Sequence, residues 1–402
     1  MAGNNGTPGR RPGIDEHRVE FTGSGGEFFR VWIVNVLLSV ITLGFYTPFA
    51  RRRTAQYFYG HTLVAGSPLE FTAQQRKMVI GFLLLVLLYV AFKTASQTGQ
   101  DTLAALMVLG GALLAPYFWG SAMRFRFNAT RWRGVRLQFT AGWGEVYRAS
   151  WPLFALALAW IAAVLLPGAL VPEGLSSATR RAAAVPAFLA TAAAALAISV
   201  WCLMRLEYNY KSLMVRRGRI GGQPGRWKPV FGDFVRIWLA TVGVFLLTVL
   251  VIGATIALAF GGSVALLPKL RGTGLLAMLV ILALAVATVL LLFLASAPAR
   301  AYREARIFQL VWNNIGVSQV ARFRCSLPAG RYVGLRIRNV LLTMLTLGFF
   351  RPFAVASEYR MKSESVTLHV KGGLDQLAGQ LAGEEQGLGD AIADAVGLGL
   401  VG

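Results

Sequence analysis

The chain has 402 residues, of which only 14% are charged, and its mean hydropathy is +0.56. Water-soluble globular proteins carry about a quarter charged residues, so these values exclude that class. A net charge of +22 would suggest nucleic acid for a soluble chain, but a membrane protein gathers Arg and Lys in its cytoplasmic connections, so the basicity is read first as orientation.

In chain order, residues 1–20 are polar and rich in Gly, Pro and Arg. They lack the apolar core of a cleavable signal peptide and are expected as a disordered cytoplasmic tail. The stretch Asn35-Val-Leu-Leu-Ser-Val-Ile-Thr-Leu-Gly-Phe-Tyr-Thr-Pro-Phe-Ala50 then returns near the other end as Asn339-Val-Leu-Leu-Thr-Met-Leu-Thr-Leu-Gly-Phe-Phe-Arg-Pro-Phe-Ala354, so residues 21–371 are expected as an internally repeated membrane domain. A span needs about 20 mostly apolar residues. Six runs qualify: 78–92, 103–123, 151–171, 182–204, 237–260 and 275–297. The motif copies, 31–50 and 333–354, add two less regular candidates. Residues 372–402 hold acids but no Lys or Arg, and are expected as a flexible tail rich in Gly, Ala and Leu, with at most a weak amphipathic helix.

Lys and Arg are unevenly spread between these runs. Segments 51–77, 124–149, 205–236 and 300–338 hold five, six, eight and eight of them, whereas the alternating connections carry only Lys93, then Arg180 and Arg181, then Lys269 and Arg271. The positive-inside bias puts the four basic segments in the cytoplasm. Eight spans would then carry both termini outside. Because each motif copy holds a Gly and a Pro that break a helix, both are expected to be broken or re-entrant, leaving six spans and cytoplasmic termini.

The basic segments also resemble one another. Residues 60–73 align without gaps on 128–141, matching Thr62 to Thr130, Gly66 to Gly134 and Phe71-Thr-Ala to Phe139-Thr-Ala, which predicts small cytoplasmic β-hairpins. Gly26-Glu27, Gly144-Glu145 and Gly232-Asp233, each with Arg three residues after the acid, open the helices that follow. The acid favours the helix dipole, and the Arg can pair with it and reach the interface. The expected fold class is an all-α polytopic membrane protein: six clear transmembrane helices, two broken or re-entrant ones, and small hairpins.

The motif copies, the arginine-rich aromatic stretches and the hairpins ending in Phe-Thr resemble, in order and spacing, the YjgN-like family of bacterial inner-membrane proteins, from about His17 to Gly372. The chain departs from that pattern at Phe49 and Phe353, where Trp often follows the Pro, and in its acidic tail. The resemblance implies a multi-pass inner-membrane location. It implies no catalytic residue, since the family has no assigned activity.

The residues themselves supply no chemistry either. His17, His61 and His369 have no second ligand at metal spacing, and no Walker loop, H-E-x-x-H or G-x-S-x-G is present. Cys202 and Cys325 suggest neither a disulfide framework nor a zinc site. No catalytic residue, metal or cofactor is expected, and the chain is not expected to be an enzyme. None of the 18 acids falls within the six runs, which weakens a proton-coupled transporter. Paired broken helices still point to a transport site, where Asn35, Thr42, Asn339 and Thr346 would meet a small solute; the competing expectation is that they bond between helices or satisfy backbone freed by the break. The leading expectation is a membrane scaffold or interaction protein. Its basic layer, including Arg51, Arg52, Arg53, Arg124 and Arg126, would bind anionic lipid head groups, and a protein partner or a second copy of the chain. Nucleic acid is not expected, since the charge is spread over short loops.

Overall fold

Positive backbone angles decide how the basic connections fold. Ala65 and Gly66 have φ of +50° and +75°, and Arg133 and Gly134 +49° and +81°. Two successive left-handed residues make the two-residue hairpin loop whose twist matches its strands. The computed structural model describes residues 14–170, 177–221, 223–264, 274–317 and 321–371. In it the hairpins are β2 (Thr62–Val64) with β3 (Ser67–Phe71), β4 (Thr130–Trp132) with β5 (Val135–Phe139), β6 (Gly218–Ile220) with β7 (Gln223–Trp227), and β8 (Ile315–Val317) with β9 (Ala321–Cys325). Two strands near the ends of the sequence complete the set, β1 (Ile14–Phe21) and β10 (Val366–Lys371).

These ten strands form one closed antiparallel barrel in the order β1-β10-β9-β8-β7-β6-β5-β4-β3-β2. Closure has two seams at β1: Ile14 lies opposite Lys371 and Arg18 opposite Thr367 on one side, and Val19 opposite Val64 on the other. Side chains alternate in and out. Val366, Leu368 and Val370 are buried while Thr367, His369 and Lys371 face out, and on β9 Ala321 and Cys325 are buried while Arg322 and Arg324 are exposed.

The all-α expectation is therefore overturned. Three-residue strands paired only within a hairpin would leave their outer N–H and C=O groups unmatched, and an isolated hairpin is marginal in water. Joining edge to edge satisfies those groups and gives the strands a shared apolar interior. Residues 14–20, expected as part of the tail, form most of β1; residues 1–13 and the tail 372–402 lie outside the described residues.

Helices leave and return to the barrel between its strands: α1 (Gly25–Ile41) with α2 (Thr47–Gly60), α3 (Gln75–Gln97) with α4 (Asp101–Asn128), α5 (Trp143–Ala149) and α6 (Trp151–Leu170) with α7 (Ser177–Arg216), α8 (Phe231–Val264) with α9 (Gly274–Asn314), and α10 (Ala329–Leu345) with α11 (Arg351–Ser363). The acids of the repeated Gly-acid motif hold the helix starts by capping. Glu27 accepts from Ser24 N–H at 3.1 Å, Glu145 from Gly142 N–H at 3.0 Å and Asp233 from Val230 N–H at 3.0 Å. Glu145 pairs with Arg217, the residue just after α7.

The six clear spans are also corrected. Among the described residues four helices are long and apolar enough to cross a membrane, Gln75–Gln97, Thr102–Asn128, Ala184–Arg216 and Phe231–Thr255. The run 151–171 falls on α6, which joins α5 at a bend of 44°, so this pair is at most a fifth. The run 275–297 forms part of α9, where many side chains lie outside the described residues. Helices α7 and α9, at 40 and 41 residues, are about 60 Å long at 1.5 Å per residue, roughly twice the hydrocarbon thickness. Their barrel-side ends, about a third of each helix from near Arg205 and Arg300 onward, extend beyond the lipid.

Candidate functional site

The barrel interior and the two helical turns hold the sequence-predicted polar candidates Asn35, Thr42, Asn339, Thr346 and Arg126. The barrel encloses a cavity of about 590 Å³. At the hairpin-loop end it is closed by packed side chains, among them Trp132, Val135, Val317, Leu368 and Val370. Trp132 Nε1 donates to the Val64 carbonyl at 3.1 Å, so its one polar atom is satisfied inside the apolar plug. At the other end the cavity is walled by the last turns of five helices, with Tyr59, Phe127, Met214, Trp312 and Tyr359 against it.

The polar groups of the cavity lie at that helix end. Tyr359 and Thr62 hydroxyls share a hydrogen bond of 2.8 Å, and Thr62 also donates to the Phe58 carbonyl. Burial pushes the Tyr359 phenol above its ordinary range, so it is a neutral hydroxyl here. Lys362 reaches the wall but donates to Glu304 at 2.6 Å. Burial alone would raise the Glu304 carboxyl; the Lys362 hydrogen bond and charge outweigh it and hold that group below the usual carboxylate range. Arg126, also on the wall, is exposed and makes no ion pair with any described residue.

The two motif copies form matching helical hairpins. Leu43 and Gly44 have φ of +49° and +90°, and Leu347 and Gly348 +50° and +96°, so each chain reverses through a left-handed turn and comes back beside itself. Thr42 and Thr346 cap these turns. Thr42 donates to the Leu38 carbonyl at 2.7 Å and accepts from Tyr46 N–H at 3.0 Å; Thr346 donates to Leu342 at 2.7 Å and accepts from Phe350 N–H at 2.9 Å. Asn35 is buried and donates to the Ala50 carbonyl at 3.4 Å. Asn339 does the same to Ala354 at 3.3 Å, and also reaches Ser357 and Glu358, each at 3.0 Å. The structure brings the two hairpins side by side, with Phe29 stacked on Phe353 and Trp32 meeting Phe349. It does not bring Asn35 into hydrogen-bond contact with Asn339.

Of the basic candidates, Arg51, Arg52 and Arg53 sit within α2, where Arg53 donates to the Tyr46 hydroxyl at 3.3 Å. Arg124 caps the Ala141 carbonyl at 2.6 Å and lies 3.8 Å over the Trp143 ring. The buried Glu358 and its partner Arg336 escape the sequence reading. Their signal is an isolated acid at a place where the first copy has Thr54. Among the described residues no group of three His, Cys, Asp or Glu side chains is placed to hold a metal.

The family of bacterial proteins of unknown function designated DUF898 matches residues 16–395. The protein called inner membrane protein YjgN of Salmonella typhimurium is 30% identical over 142 residues, 35% of each chain, and that of Escherichia coli O157:H7 is 26% identical over 143 residues, 36% of this chain and 35% of its own. This chain thus spans about a third of the length of those curated relatives. No solved structure matches. With the family covering most of its length and its apolar helices able to span a bilayer, the chain belongs to the DUF898 family, is YjgN-like, and resides in the bacterial inner membrane.

Proposed function

We propose that the protein is a non-enzymatic membrane scaffold or interaction protein whose basic layer binds anionic head groups of the cytoplasmic leaflet. One observation supports it most: the four basic connections all end in one barrel, so charges scattered along the sequence become a single collar. Arg131, Arg136, Arg219, Arg226, Arg322 and Arg324 lie on β4, β5, β6, β7 and β9 at positions that alternate with mostly apolar ones. By the positive-inside bias this end faces the cytoplasm. Each Lys or Arg near an anionic leaflet adds about 1 kcal/mol of attraction.

Two further features fit a head-group layer. The hairpin turns expose Leu43 at 89% and Leu347 at 91%, apolar tips suited to lipid, while Arg51 to Arg53 lie partway back along α2 at a depth suited to phosphates. Between α8 and α9, Arg300 and Arg303 flank a groove of about 480 Å³ beside Trp238. The matched hairpins are consistent with internal duplication, which would have supplied two such inserts and left the collar open to a protein partner or a second copy of the chain. A transport site at Asn35, Thr42, Asn339 and Thr346 is less favoured, because both Thr hydroxyls bond the backbone of their own turns and both Asn side chains donate within their own hairpins, leaving only the two buried Asn Oδ1 atoms without a partner among the described residues.

The test is lipid retention. Purified from membranes in mild detergent, the protein is expected to keep phosphatidylglycerol and cardiolipin in preference to phosphatidylethanolamine. The combined Arg51→Gln, Arg52→Gln, Arg53→Gln change should cut the retained anionic lipid several-fold. Equal retention by both proteins would contradict this function.

A further inference from the structure

The barrel cavity calls for an occupant that the head-group collar does not supply. Its volume of about 590 Å³ falls within the roughly 300–1,000 Å³ usual for small-molecule sites. The strand walls are aliphatic and aromatic, with Leu69, Leu137, Phe323 and Leu368 facing in, so water would find few partners there. The packed plug at the loop end closes one exit, leaving entry from the helix end, which is the membrane side.

Polarity in the cavity is one-ended as well. The cations near it, Arg126 and Lys362, both lie on the helix-end wall, and Glu304 already neutralises Lys362. Arg126 is left as a charge with no ion-pair partner among the described residues, at the rim of an apolar chamber. The five-residue strands span about 17 Å, and a volume of about 590 Å³ has room for one hydrocarbon chain.

We propose that the barrel is a binding site for a single-chain anionic amphiphile, with the acyl chain inside the strands and the anionic group against Arg126. A fatty-acid carboxylate and a lysophospholipid phosphate offer the same chemistry to Arg126. The site shares Arg126 with the basic layer, but its chamber does not include Arg51, Arg52 or Arg53, so the lipid-retention test and this one can fail separately.

The experiment uses the full-length protein in vesicles, with photoreactive palmitate in one arm, photoreactive lysophosphatidylglycerol in a second and a photoreactive diacyl lipid in a third. At least one single-chain probe is expected to label peptides of β3, β5, β9 and β10, and the stronger of the two identifies the source. Ala321→Trp, which fills the chamber from β9, and Leu69→Trp, which fills it from β3, should each abolish strand labelling while leaving labelling of α8 intact. Arg126→Gln should raise the amount of unlabelled palmitate needed for competition about tenfold, the loss of one charge-assisted contact, and leave competition by palmityl alcohol unchanged. Absent strand labelling, strand labelling by the diacyl probe alone, labelling indifferent to both Trp variants that retain α8 labelling, or palmityl alcohol competing as well as palmitate would each overturn the site.

Discussion

Trp132→Ala is expected to destabilise the protein by about 3–5 kcal/mol, the range for removing a large aromatic from a core. Trp132 is only 7% exposed and packs in the plug with Val135, Val317, Leu368 and Val370, residues drawn from β4, β5, β8 and β10. Its loss removes apolar burial from four strands at once and strands the Val64 carbonyl that its indole N–H satisfies. Thermal unfolding of the detergent-solubilised protein measures it as a lowered Tm. The control is Arg226→Ala, at an outward position on β7, which should stay within about 0.5 kcal/mol of the wild type. Equal effects from the two changes would mean that the strands share no common interior.

The second large effect is expected at Glu358. This carboxylate is 8% exposed, accepts from Asn339 Nδ2 at 3.0 Å and pairs with Arg336. Removing one partner of a buried pair costs about 3–5 kcal/mol; the Arg336 side chain is 36% exposed and partly solvated, which reduces the expected cost of Glu358→Ala to about 2–4 kcal/mol. Glu358→Gln keeps an oxygen for Asn339 and should cost less. The first hairpin has Thr54 at the matching place, so Asn35→Leu should lower Tm less than Asn339→Leu. A larger loss at Asn35 would show that Glu358 contributes nothing to its hairpin.

These effects also mark where the sequence was readable and where it was not. The Gly-Pro motif foretold a break, and the left-handed residues at Gly44 and Gly348 provide it. The aligned glycines Gly66 and Gly134 foretold the hairpin loops for the same reason, since a tight two-residue loop favours positive φ. Closure was not legible. Pairings such as Leu69 with Trp132 and Leu137 with Ile220 join hairpins separated by whole helical excursions, and no local pattern encodes them. Strand β1 is disguised by its outward charges, Glu16, Arg18 and Glu20, which read as a polar tail. Strand β10 did carry a signal, Val366, Leu368 and Val370 alternating with Thr367, His369 and Lys371.

The cavity was illegible for a related reason: its wall is assembled from strands and helix ends scattered between Val19 and Leu368. The basic candidates split once packed. Arg124 serves a backbone carbonyl and a Trp ring, whereas Arg126, two residues on, lines the cavity and has no ion pair among the described residues. Charge counting treats the two alike, and only the barrel tells them apart.

The seam between β1 and β10 gives the most direct measurement of the closed barrel. Arg18 and Thr367 are opposed across it although nearly the whole chain lies between them. With Cys202 and Cys325 changed to Ala, an Arg18→Cys, Thr367→Cys protein treated with a mild oxidant in native membranes is expected to form an intrachain disulfide, seen as a reducible shift in electrophoretic mobility. An Arg18→Cys, Arg226→Cys protein, with its second cysteine on β7 away from the seam, should not. Failure of the seam pair to cross-link, or equal cross-linking of both pairs, would contradict a barrel closed by the two ends of the sequence.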